Sequence, residues 1–299
     1  MPDIKTLIPC HYLEEDGQVT AFGHGQCFRI PYKKRIGDAV KNSDYNALDF
    51  SDLIFGTQEL ASRVYFEDAT PDPDKKISEL PEITTRPLMQ PNPTSYQLYL
   101  KQDGRKLNHW DSAGAEIRGY KMYWHNAELD WKTDTPSDLS KKMTPIKEGA
   151  VFKSKIRFKN LTAVELGALL MIFDLDGAKD AAYKIGQGKP FGFGSVKVNY
   201  RLSIEDGYNE LFDAGGWKNP CREENPAAYL DAFKKYLAAC SMEKIWRDVL
   251  KELKIILDWE NKPAPDKIKS MSGDVSNNSV DNRFIQRVPL LKIFEVLKC

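Results

Sequence analysis

Apolar residues never run unbroken for anything near the roughly 20 positions that a membrane-spanning helix requires. The N-terminal MPDIKTLIPC has neither the basic start nor the apolar stretch of a secretion signal. Cysteine is scarce: Cys10, Cys27, Cys221, Cys240 and Cys299 are odd in number and contain no CxxC pair. Neither a zinc site nor a disulfide framework is signalled, and a reducing, cytoplasmic setting follows. Charge shows no excess of either sign, since 43 basic side chains balance 43 acidic ones. Overall charge therefore selects no partner, and any hold on a nucleic acid has to come from local charge. No repeat recurs at a fixed period. What remains is 299 residues, 41% hydrophobic and 29% charged, the profile of a globular chain with ample material for a core.

Patterning is mixed. QVTAFGH and CFRIPY read as short strands, DFSDLIFG as a helical turn, and SRVYFEDA as a strand with Val64 and Phe66 on one face. Thr70 to Pro93 is rich in proline and charge and reads as a long loop or poorly ordered excursion. Aromatics scattered through 94–147 mark an irregular insertion. In VFKSKIRFK, Phe152, Ile156 and Phe158 alternate with Lys153, Lys155, Arg157 and Lys159, which places the cations on the opposite strand face. TAVELGALLMIF opens with Thr162 and Glu165 in capping-box spacing and carries an apolar stripe through Leu166, Leu169, Leu170 and Phe173. SVKVNYR (195–201) repeats the apolar–basic alternation. Residues 225–258 read as one or two amphipathic helices, 262–283 as a flexible linker, and 284–298 as a segment apolar enough to dock back.

Between the two alternating segments lies AYKIGQGKPFGFGSVKVNY, where Gly186, Gly188, Gly192 and Gly194 crowd together. It fails the P-loop pattern because the sixth residue from Gly186 is Phe191. The dinucleotide pattern fails there too, since Phe191 stands where a third glycine belongs, and a helix precedes the glycines where both motifs need a strand. Two readings remain: a turn that only meets steric demands, or a backbone stripped of Cβ atoms so that a polymer can approach, with Lys184 and Lys189 beside it. From 151 to 201 there are nine basic and four acidic residues. Such a local excess suits a phosphate backbone; cations that merely solvate an open strand are the rival reading.

These residues resemble the RAMP superfamily, the RNA-binding subunits of CRISPR effector complexes. ELGALLMIF…YKIGQGKPFGFGSVKV is similar to its C-terminal glycine-rich signature, DFSDLIFGTQELASRVYFEDA (49–69) to a second hallmark, and PIKEGAVFKSKIRF (145–158) to the lead-in of a strand. The three stand in the family order, and the resemblance spans roughly 20–201. The backbone subunits of type III (Csm/Cmr-type) complexes are the nearest in character. The resemblance implies an α+β, ferredoxin-like (RRM-like) fold with an irregular insertion and a helical C-terminal extension. On that reading 1–69 is the first part of the core, 70–147 the insertion, 148–205 a second strand–helix–strand half, and 206–299 the extension. The usual basic segment that grips guide RNA is matched only by RIPYKKRIGDAV (29–40), with little chain before it. The polypeptide is therefore expected to be the C-terminal part of a longer protein or one with an altered first strand.

The implied function is RNA binding. Lys33, Lys34, Arg35, Lys153, Lys155, Arg157, Lys184, Lys189 and Lys197 would meet the guide backbone, with Gly186, Gly188, Gly192 and Gly194 allowing close approach and His125 stacking on a base. Partners would be guide RNA, target RNA and other RAMP subunits. No cofactor is expected. The alternative is an endoribonuclease using Mg2+, in which Asp16 would be the catalytic carboxylate; a solvated turn around Glu14, Glu15 and Asp16 explains the same residues. Asp49, Asp52, Glu67 and Asp68 are read as capping and turn residues, so no metal set is assigned.

Overall fold

The computed structural model describes residues 9–25, 32–33, 48–88, 95–102, 107–126, 128–129, 131–133, 136–205, 212–213, 215–217, 221–268 and 287–298. The chain forms two compact units. One comprises 1–44, 92–120 and 284–290; the other comprises 45–91, 121–283 and 291–299. Both the expected first core segment, 1–69, and the expected insertion, 70–147, contribute to each unit.

In the smaller unit, strands β1 (His11–Glu15) and β2 (Gln18–Gly23) pair antiparallel. Asp16 and Gly17 join them with φ of 53° and 75°, the left-handed pair that a two-residue hairpin turn needs. Elsewhere in this unit Leu100 and Trp110 are buried. His109 stands edge-on to Tyr32 and to Tyr96, at 5.0 and 4.8 Å.

The larger unit begins with helix α1 (Phe50–Phe55), which Asp49 and Asp52 cap reciprocally. Strands β3 (Val64–Phe66), β4 (Thr70–Pro71) and β5 (Ile83–Thr84) follow, and β6 (Lys142–Met143), β7 (Phe152–Lys153) and β8 (Ile156–Phe158) return antiparallel to them. Single backbone bonds fill the gaps, among them Asp72 N–H to Val151 O, Lys147 N–H to Ser78 O and Thr85 N–H to Lys141 O. Residues 64–85 and 141–158 thus form one interrupted two-stranded arm, where a loop was expected after Thr70. The interruptions have a countable cause. Six residue steps from Val64 to Thr70 answer five on the partner strand, and thirteen steps from Thr70 to Ile83 answer ten. The surplus loops out on the side carrying Pro71, Pro73 and Pro81, which have no N–H to give a ladder.

Helix α2 (Ala163–Asp174) has the expected Thr162–Glu165 capping box. Its burial exceeds one stripe: Leu169 packs with Ile54 and Val64, while Leu166, Leu170 and Met171 pack with Leu202, Leu230 and Phe233. A helix apolar on nearly every side belongs between layers. Strands β9 (Tyr183–Lys184) and β10 (Ser195–Val196) form the next pair. After them come β11 (Leu202–Glu205), β12 (Phe212–Asp213), β13 (Gly216–Trp217) and β14 (Cys221–Glu224), with β11 on β14 and β12 on β13. Helices α3 (Ala227–Ala239) and α4 (Glu243–Ile256) close the core. At Gly167 an added Cβ would lie 2.0 Å from the Tyr229 carbonyl oxygen, so α3 crosses α2 where there is no side chain.

The expected linker is in part ordered: α5 (Pro265–Ile268) is a helical turn, and 269–283 lie outside the described residues. Helix α6 (Ile293–Lys298) docks on α4, where Val296 is buried and the Lys251 ammonium lies 5.0 Å from the Phe294 ring centre. The architecture is mixed, with small antiparallel sheets and a few helices; among the described residues every sheet has two strands. Among those residues no helix is long and apolar enough to cross a membrane.

Candidate nucleic-acid interface

Strand β8 is held from beneath by Arg63. Its guanidinium donates to the Leu53 carbonyl oxygen at 2.6 and 2.8 Å, to the Asn160 carbonyl oxygen at 2.8 Å, and to both carboxylate oxygens of Glu165. Arg63 thereby ties α1, the β8–α2 turn and the α2 N-terminus together, and it holds the Glu165 carboxyl below its ordinary pKa. With Ile156 and Phe158 packed toward Leu169 and Val64, alternation turns Lys153, Lys155, Arg157 and Lys159 outward, and all four are exposed. The cationic face is open to solvent.

Two of the four cations have partners. Lys153 lies 3.0 Å from the nearly buried Asp72 carboxylate, and this hydrogen bond lowers the Asp72 pKa. Arg157 pairs with Glu67 at 2.5 Å. Lys155 and Lys159 form no ion pair among the described residues. An exposed pair such as Arg157–Glu67 holds its partners weakly, so a phosphate can compete for Arg157 more readily than for Lys153.

The glycine segment is a hairpin. Lys189–Phe191 forms one 3-10 turn between Gly188 and Gly192, and all four glycines have positive φ, from 70° to 100°. A Cβ on Gly194 would sit 2.0 Å from the Ile185 carbonyl oxygen, whereas Gly186 has open space around it. The turn is fixed by Phe191, which is 1% exposed, and by Lys184. Lys184 donates to the carbonyl oxygens of Gly192 and Phe193 at 2.8 and 3.0 Å, and burial lowers its pKa to about 8. Its ammonium is committed to the turn and is not presented to a ligand. Gly188 faces Met143 of β6. That residue lies ten positions along the arm from Lys153, so the hairpin and the cationic face meet different parts of the arm.

Other expected contacts change character. His125, expected to stack on a base, is 1% exposed. Its Nε2 lies 2.9 Å from the Ala182 carbonyl oxygen, and its Nδ1 lies 2.9 Å from the Ser195 hydroxyl. A carbonyl can only accept, so Nε2 carries the proton and Nδ1 accepts from Ser195. With Trp259 edge-on at 5.4 Å, the ring has no open face, and burial lowers its pKa. The strand expected over 195–201 ends at Val196, and Lys197 lies 3.8 Å from Glu260. Asp16 is the first residue of the β1–β2 turn, and its left-handed φ accounts for it. Lys33 is exposed, with its backbone N–H on the Asp111 carboxylate at 2.9 Å; Lys34 and Arg35 lie outside the described residues. Among those residues no group of three His, Cys, Asp or Glu side chains is gathered as a metal site. The sequence reading missed Arg63, which its strand alternation had turned outward. The signal available was Glu165, an acid opening an otherwise apolar helix that needs a cation.

The site is therefore an exposed cationic strand on a mixed α/β core, seated on a helix with a capping box. The family model of the RAMP superfamily matches residues 22–197, more than half of the sequence, and the chain belongs to that superfamily. Membership points to a CRISPR-associated, RNA-binding role. The matched span contains Lys33 and every cation of the strand face, and it leaves Asp16 outside. No curated protein matches the sequence.

Proposed function

We propose that this chain is an RNA-binding subunit of a type III CRISPR ribonucleoprotein in the cytoplasm, holding guide RNA by its backbone on a ferredoxin-like core and packing beside other RAMP subunits. The observation that carries the reading is the outward strand face of Lys153, Lys155, Arg157 and Lys159. Its cations are spaced by the two-residue period of a strand and lie in the open, with Lys155 and Lys159 lacking an acidic partner among the described residues. Contacts of that kind read a phosphate backbone independently of base sequence. Lys33 and Lys189 add charge elsewhere, while Lys184 and the glycines shape the hairpin. Family membership supports the RNA; the subunit type and the guide are the proposal's own content.

The test is to express the chain in cells carrying a CRISPR array, purify it and sequence the RNA that stays bound. Repeat-derived guides are expected. Recovery of bulk cellular RNA in proportion to its abundance, or of no RNA, would overturn the guide-holding reading.

A further inference from the structure

His125 cannot stack on a base, because its ring is buried with no open face. The cationic strand meets an aromatic from across the arm instead. Tyr65 of β3 stands directly opposite Arg157 of β8. Such cross-strand partners project from the same face, with about 5 Å between their Cβ atoms. The diagonal neighbours on that face are Lys155 and Lys159, within reach of a tyrosine ring. The next pair along, Val64 and Phe158, turns the other way, toward Leu169.

The Tyr65 ring is 53% exposed, and among the described residues it makes no aromatic, cation–π or hydrogen-bond contact. An aromatic placed only to stabilise the sheet gains most from an aromatic or β-branched partner across the strand. Tyr65 has cations around it, and the acid beside them, Glu67, already pairs with Arg157. A bare ring among cations suits a single-stranded nucleic acid, since the ring stacks a base while the cations hold the backbone. We propose that Tyr65 stacks on a base of the RNA strand whose phosphates lie on Lys155 and Lys159. The ring meets a base by its face and not its edge, so sequence matters little. The contact favours single strands over duplexes, whose base faces are already stacked.

The contact requires RNA on this strand, as proposed above. The experiment is fluorescence anisotropy of purified, RNA-free protein with labelled probes of equal length: single-stranded oligoadenosine, an abasic ribose-phosphate oligomer and an RNA duplex. Tyr65→Val keeps a strand former at this exposed position, and circular dichroism checks that it folds. The substitution is expected to weaken oligoadenosine binding about 30-fold, the loss of one base–aromatic stack. Its salt slope should not change, because no phosphate contact is lost. Tyr65→Phe retains the ring and should bind as wild type does. Neither variant should alter binding of the abasic oligomer or the duplex.

Wild-type binding of oligoadenosine by Tyr65→Val would overturn the stacking. An equal loss on the abasic oligomer would overturn it too, and would mark Tyr65 as a support of the strand alone. Lys155→Ala/Lys159→Ala separates the stack from the RNA placement beneath it. If that double variant flattens the salt slope while Tyr65→Val binds normally, only the stacking fails. If it leaves the slope unchanged, RNA does not lie on this strand and both fall.

Discussion

Removing Lys155 and Lys159 together probes the RNA-binding reading most directly. Both are exposed and lack an acidic partner among the described residues, so each phosphate they neutralise releases counterions without first breaking an ion pair. For single-stranded nucleic acid the logarithm of affinity falls with the logarithm of salt by about 0.7 per phosphate contact. Losing one contact at 0.1 M salt therefore weakens binding about fivefold, and losing two weakens it about 25-fold. The salt slope should become shallower by about 1.4 for Lys155→Ala/Lys159→Ala. Lys153→Ala should change less, because its ammonium already serves Asp72 at 3.0 Å. Asp72→Asn releases that ammonium and should raise affinity. Fluorescence anisotropy of a labelled single-stranded RNA between 0.05 and 0.3 M KCl, the range where screening acts strongly, reads all of these. A double variant that binds with the wild-type slope would refute the placement of RNA on this strand, whatever the absolute affinity.

Arg63→Met leaves the Glu165 carboxylate without its guanidinium. It should cost about 3 kcal/mol in urea unfolding, the low end for a broken buried pair because the Arg63 side chain is 29% exposed. A loss under about 1 kcal/mol would show that Arg63 does not tie these elements together. Gly194→Ala should cost more than Gly186→Ala. Both pay for a left-handed φ, roughly 1–2 kcal/mol, but only the first also drives a methyl against the Ile185 carbonyl oxygen; equal losses would contradict the hairpin geometry. His125 is buried neutral and its pKa is lowered. Below about pH 6.5, the ordinary histidine value, the unfolded chain takes up a proton that the folded chain resists. Stability should therefore fall as pH drops from 6.5 toward the lowered pKa. His125→Asn should flatten that fall in a pH series of thermal midpoints, and an unchanged profile would argue against the buried, neutral ring.

Local chemistry was legible and distant pairing was not. The Thr162–Glu165 spacing announced its cap because both partners lie within one turn. The alternation of VFKSKIRFK announced which side chains face outward because a strand repeats every two residues. Asp49 and Asp52 declared themselves as caps for the same reason. By contrast, the proline-rich stretch after Thr70 looked unstructured because nothing within it shows that 141–153 will pair with it. The burial of His125 and the turn contacts of Lys184 were hidden for a related reason: a polar side chain is legible as polar, but its burial depends on which segments fold over it.

The sequence by itself determined a cationic strand carried on a capped apolar helix, since both are properties of neighbours in the chain. Only the tertiary structure decided which of those cations keep their charge for a partner. Asp72 and Glu67 come from the opposite strand of the arm, and their distance from Lys153 and Arg157 is set by register, which the looped-out residues between Val64 and Ile83 shift and no local pattern records.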